Sequence, residues 1–182
     1  MVRIDVVDNQ GQFTHLERRA LRDLGVDAEI IPNDTPPTDV DADGLVLSGG
    51  PDIEGRGRCG EYLDLDIPVL GICLGMQVIA HELDGVVGPG DYGGYADVSV
   101  EILDEADPVT GSLYPETDVW ASHADEVKMV PDGFEVTARS EICAIEAMSD
   151  PDRGLYGVQW HPEVAHTAEG DTLLQNFVTL CR

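Results

Sequence analysis

The sequence predicts an α/β fold: a single domain over residues 1–182, with a largely parallel central sheet flanked by helices and an additional antiparallel or mixed strand region. Three observations predict it. Short apolar runs such as Gly44–Leu47 and Val69–Ile72, of the kind buried in parallel sheets, are followed by glycine-rich turns. Apolar residues at helical spacing follow several of these runs. From Gly85 to Ala147 the pattern changes to short alternating runs separated by Gly, Pro and Asp, as in antiparallel sheets. No internal repeat and no linker divides the chain.

Taken in order, Val2 to Val7 is a β-branched run broken by charges, a first strand that ends in the polar turn Asp8-Asn9-Gln10-Gly11. Leu16, Ala20, Leu21 and Leu24 recur at helical spacing across His15 to Leu24, and Gly25 stops that helix. Ala28 to Ile31 is a second strand, closed by Pro32. Asn33 to Asp43 contains Pro36, Pro37 and four aspartates and is loop. Gly44 to Leu47 is a third strand, which leads into Ser48-Gly49-Gly50-Pro51. Glu54 to Leu65 is interrupted by glycine and ends in a short helix. Val69 to Ile72 is a fourth strand, with a helix from Leu74 to Leu83 behind it. The middle region is expected to form strands at Val98–Leu103, Asp118–Ala121, Phe134–Arg139 and Cys143–Met148. Leu155 to Trp160 is a further strand that runs into His161-Pro162-Glu163. Leu173, Leu174, Phe177 and Val178 then mark a final helix from Gly170 to Leu180.

Charge sets the surroundings rather than the chemistry. The chain has 36 acidic residues against 10 basic ones, for a formal net charge of -26, and Lys128 is its one lysine. Such a surface repels nucleic acid and anionic membranes, which excludes both as partners. Self-repulsion on this scale is tolerable where salt shortens the Debye length, so the composition indicates a cytoplasm rich in salt. There is no signal-peptide pattern and no uncharged apolar run long enough to span a bilayer, so a cytoplasmic protein is expected. The four cysteines, Cys59, Cys73, Cys143 and Cys181, are scattered, so neither a zinc site nor a disulfide framework is indicated and no metal is expected.

Chemistry concentrates after three predicted strands. Cys73 stands between Gly71 and Gly75 at a strand-to-helix corner, the pattern of a nucleophile elbow. The corner strains the nucleophile's backbone, the glycines remove colliding side chains, and the helix N-terminus favours a thiolate. Ligands of open α/β sheets gather beyond the carboxyl ends of strands, so Ser48–Pro51, Cys73–Gln77 and His161–Glu163 are expected to share one cleft. His161 is the candidate base. Glu163 lies two residues on, on the same side of an extended segment, where it can orient the imidazole. The backbone N–H groups of Gly50 and Leu74 are the candidate oxyanion donors. Nucleophile, oriented histidine and oxyanion pocket together indicate acyl transfer through a thioester.

Gly71-Ile-Cys-Leu-Gly-Met-Gln77 with Gln159-Trp-His-Pro-Glu163 resembles the signature of class I (triad) glutamine amidotransferases. Val7–Phe13, Trp120–Val127 and Pro162–Thr167 are similar to the amidotransferase components of GMP synthases, and the likeness covers nearly the whole chain. The resemblance implies glutamine as substrate, Cys73, His161 and Glu163 as the triad, and Gly49, Gln77, Ser122 and His123 as substrate contacts. It places His123 and Asp125 at the interface with a partner. The chain runs to Arg182 without the ATP pyrophosphatase domain of those enzymes, so the implied partner is a separate pyrophosphatase subunit that converts XMP to GMP. Cofactors in this chain are expected to be none, with ATP and Mg2+ belonging to that partner. Met76 and Trp160 stand where relatives often have His and Phe.

Overall fold

The computed structural model describes the backbone of residues 1–182 and the side chains of all but residues 93–96. Nine strands form one sheet: β1 (Ile4–Asp8), β2 (Ile30–Pro32), β3 (Gly44–Leu47), β4 (Val69–Ile72), β5 (Val86–Ile102), β6 (Glu116–Met129), β7 (Glu135–Arg139), β8 (Ala147–Asp150) and β9 (Leu155–Val158). Their order across the sheet is β2-β1-β3-β4-β9-β8-β7-β5-β6. The ladders from β2 to β9 are parallel, with Leu47 beside Gly71 and Gly71 beside Gly157. Those from β9 through β8 and β7 to β5 and β6 are antiparallel.

Helices cover both faces of the parallel half, so strands β3, β4 and β9 are buried at every position. Successive side chains of a strand point to opposite faces, and the core divides accordingly. Ile4, Val6, Val46, Leu70 and Val158 pack with α1 (Thr14–Asp23) and α4 (Gly170–Leu180) through Leu21, Leu173, Leu174 and Phe177. Val7, Leu45, Leu47, Val69 and Leu155 pack on the other face with α2 (Cys59–Tyr62) and α3 (Leu74–Glu82). Every residue of α3 from Leu74 to Ala80 is buried, so this helix lies inside the fold rather than on it.

The antiparallel half is larger than the sequence pattern predicts. β5 and β6 form a ribbon of 17 and 14 residues, where the pattern marks only Val98–Leu103 and Asp118–Ala121. The near half of β5 contains Gly88, Pro89 and Gly90, and the ribbon exposes Val86 and Met129, so it has no clean alternation to read. The strand expected at Cys143–Met148 begins only at Ala147. Ser140 Oγ accepts the N–H groups of Ile142 and Cys143 (3.3 and 3.1 Å), and this turn takes donors a strand ladder would have used.

No helix among the described residues is long and apolar enough to cross a membrane. With a net charge of -26, the fold is expected to lose its far-UV circular dichroism signal on dilution from molar to millimolar KCl and to recover it when salt is restored. A spectrum unchanged across that range would show that repulsion among the carboxylates does not limit stability.

Candidate active site

Strand β4 ends at Ile72, and the chain turns through Cys73 into α3. Cys73 has φ 55° and ψ -107°, a strained backbone for any residue with a side chain. The strain is held from both sides: Cys73 N–H donates to Val158 O at 2.8 Å, and Cys73 O accepts from Gln77 N–H at 3.3 Å. A methyl group at Gly71 would strike the backbone of Gly75 and Met76, and one at Gly75 would strike Leu47 O. Both glycines are therefore required by close approach. Gly75→Ala is expected to cost about 1–3 kcal/mol of stability through the backbone shift it forces. A melting temperature equal to wild type in molar KCl would contradict this.

The candidate base, His161, comes from the segment after β9. His161 N–H donates to Trp120 O (3.1 Å), and His161 O accepts from Thr167 Oγ1 (2.6 Å), which also accepts Trp120 N–H (3.1 Å). Thr167 thus clips this segment to β6. His161 Nδ1 lies 2.6 Å from Glu163 Oε1, and the Glu163 side chain is fully buried. The ring also meets the Cys73 sulfur. Burial opposes the imidazolium, but Cys73 and Glu163 together outweigh it and raise the His161 pKa to about 10. Phe13 stands edge-on to the imidazole (centroids 5.2 Å apart), with Trp120 at 5.9 Å.

Ser48–Pro51 closes the third side. A Cβ at Gly49 would lie 3.4 Å from His161 Cε1 and 3.7 Å from Cys73 Cβ, so Gly49 borders both side chains. Its N–H points to Glu17 Oε1 at 3.5 Å. A Cβ at Gly50 would overlap Asn9 O and come within 2.8 Å of Leu74 Cδ2, which brings Gly50 beside the first residue of α3. The first N–H groups of a helix have no partner within it, so Leu74 and Gly50 can offer donors to one oxygen.

These elements enclose a cavity of about 280 Å³ bordered by Cys73, His161, Gly49, Gly50, Ser122 and His123. Two larger hollows, of about 760 and 1070 Å³, contain neither Cys73 nor His161. A space just below the range of about 300–1,000 Å³ used for drug-sized ligands fits an amino acid.

Two of the expected contacts sit differently from what the resemblance implies. Gln77 lies behind the cavity wall, with Nε2 donating to Asp125 O (2.9 Å) and Gln159 Oε1 (3.3 Å). It therefore holds the wall instead of facing the cavity. His123 is turned inward and buried, with Nδ1 2.9 Å from Asp125 O, so it presents little to a partner. Burial lowers its pKa. Ser122 does reach the site, with its carbonyl oxygen 3.5 Å from Cys73 Sγ. Asp125 is exposed, as an interface residue must be.

Two further residues were legible only in part. Gln159 Nε2 lies 3.5 Å from Cys73 Sγ, although the sequence marks Gln159 only as the start of a motif. Glu17 is 1% exposed and borders the cavity, and burial followed by the charge of Glu163 holds its carboxyl well above the usual range. The signal was present: Glu17 stands on the stripe Thr14, Glu17, Leu21 that α1 buries.

The family described as "Glutamine amidotransferase class-I" matches residues 5–181. A glutamine-hydrolyzing GMP synthase subunit of the halophile Haloarcula marismortui is 68% identical over 181 residues, covering 100% of this chain and 96% of that protein. The subunit of the same name from Natronomonas pharaonis is 71% identical, covering 100% and 98%. Among solved structures, the corresponding putative GMP synthase subunit from Thermoplasma acidophilum superposes with TM-score 0.94 at 40% identity, covering 100% of this chain and 94% of that one. A glutamine amidotransferase from Thermotoga maritima shares the fold, with TM-score 0.75 at 21% identity, covering 90% of this chain and 76% of that one. With its elbow cysteine, its oriented histidine and this likeness along its whole length, the chain belongs to the class I glutamine amidotransferase family.

Proposed function

We propose that this chain is the glutamine-hydrolysing subunit of a two-subunit GMP synthase, and that Cys73, His161 and Glu163 carry the reaction. The observation that carries the catalytic assignment is the convergence of the strained Cys73 corner and the His161–Glu163 pair on one cavity the size of an amino acid. The Cys73 sulfur attacks the side-chain carbonyl carbon of glutamine. The oxygen that becomes negative is received by the N–H groups of Gly50 and Leu74. His161, charged at neutral pH, gives its proton to the departing nitrogen, so ammonia leaves and a thioester remains. Water then loses a proton to His161 and attacks the thioester, the carbon–sulfur bond breaks, and glutamate is released. Glu163 holds the ring through both steps from Nδ1.

The ammonia is delivered to a separate ATP pyrophosphatase subunit that binds ATP and Mg2+ and converts XMP to GMP, with exposed Asp125 in the contact. The relatives are named as one subunit of a GMP synthase, which supports a partner, and the acidic surface disfavours nucleic acid and membranes in that role. Gln77 acts through the Ser122–Asp125 wall it supports.

The test is glutamate release from glutamine in molar KCl, measured with the chain alone and with the pyrophosphatase partner, XMP and ATP. Low release alone that rises with the loaded partner is the expected result. Release indifferent to that partner keeps the chemistry and overturns the pathway. No release from folded protein under either condition overturns the catalytic assignment.

A further inference from the structure

Behind the wall of the glutamine cavity, the fold brings together His123 of β6 with Cys143 and Glu146 of the turn before β8. All three are buried, and each offers a ligand atom within 4.8 Å of the other two. Two of these side chains have an atom that nothing among the described residues satisfies. His123 Nδ1 is committed to the Asp125 carbonyl, which leaves Nε2 with a lone pair and no partner. Glu146 Oε1 accepts from Ser140 Oγ at 2.8 Å, while its Oε2 is buried without a partner. An imidazole locked by a carbonyl at one nitrogen, with the other free, is the arrangement that orients metal-ligating histidines.

The charge balance points the same way. Neighbouring Glu126 is paired with Lys128 at 2.6 Å, but Glu146, 0% exposed, has no cationic partner among the described residues. A divalent cation bound here would lie against the unpartnered Glu146 oxygen, the Cys143 sulfur and His123 Nε2.

We infer that His123, Cys143 and Glu146 form a binding site for a borderline-soft divalent cation of the zinc class. A thiolate–imidazole–carboxylate set selects such ions over Mg2+ and Ca2+, which take oxygen ligands. Ligands about 2.0–2.3 Å from a tetrahedral ion stand roughly 3.3–3.8 Å apart, so the observed spacing closes with side-chain movements of under about 1 Å. Three protein ligands leave one position for water. The bound ion ties the Ser122–Asp125 wall to the Cys143–Glu146 turn.

The test uses Co2+ as a spectroscopic zinc substitute, with metal-stripped Cys73→Ala protein in molar KCl, so that the catalytic sulfur is absent and the surface carboxylates are screened. Titration is expected to saturate at one Co2+ per chain with a thiolate-to-cobalt near-UV band. Zn2+ should abolish the band, and excess Mg2+ should leave it unchanged. Adding Cys143→Ser should eliminate the band, and adding Glu146→Gln, which keeps the shape and the Ser140 contact, should weaken Co2+ binding by at least about 10-fold. Cys181→Ser in the same background should change neither. No saturable near-UV band, or one that survives Cys143→Ser in protein with native circular dichroism, overturns the assignment. If Cys143→Ser does not fold, Glu146→Gln decides: unchanged affinity overturns it.

Discussion

Replacing Cys73 with alanine is expected to reduce glutamate release by about 10⁴-fold or more, with the far-UV spectrum in molar KCl unchanged. Alanine removes the only atom that can form the thioester, while the cavity walls at Gly49, Gly50 and Ser122 stay in place. The variant keeps the φ 55° corner, which alanine tolerates as poorly as cysteine, so stability should move little. Free glutamine should therefore still bind. A residual rate within tenfold of wild type would mean that the hydrolysis does not pass through Cys73. The same variant distinguishes loss of chemistry from loss of assembly, because it should still bind the proposed pyrophosphatase partner.

Replacing Glu163 with glutamine is expected to lower kcat by about 10²–10⁴-fold, because the amide preserves volume but not charge. Glu163 does two things for His161. Through the 2.6 Å contact it sets the ring's orientation and tautomer, and its charge helps raise the pKa to about 10. A histidine whose pKa is raised is protonated below that value and loses its proton as pH climbs through it. Without the carboxylate the charged form disappears at lower pH, so the alkaline limb of the kcat/KM profile should move toward acid. A purely structural role for Glu163 would lower activity without moving that limb. The pH profile of Glu163→Gln, measured beside wild type, decides between the two roles.

The parallel half of the fold was legible because its central strands, such as Gly44–Leu47 and Val69–Ile72, are short uncharged apolar runs and the turns after them contain glycine. The antiparallel ribbon was legible only where one face is buried, since the Gly88-Pro89-Gly90 stretch has no alternation to mark a strand. Cys73, His161 and Glu163 were legible from local grammar: an elbow and an extended His-Pro-Glu segment each encode their own geometry. Gln77 was misplaced because its sequence position, one turn into α3, does not reveal which side of the cavity wall its amide serves.

By itself the sequence determined what depends on neighbours along the chain: the strained Cys73 corner, its glycines, the histidine and its carboxylate, and the salt-adapted charge. The tertiary structure alone decided what depends on distance across the sheet. It brings Gln159 to the sulfur, turns His123 away from solvent, and sets Glu17 against the cavity. It also places Cys143 and Glu146 beside His123, although they lie on a separate turn of the chain. The physical reason is that strand order decides which buried polar groups meet, and no local pattern records the order in which the strands pair.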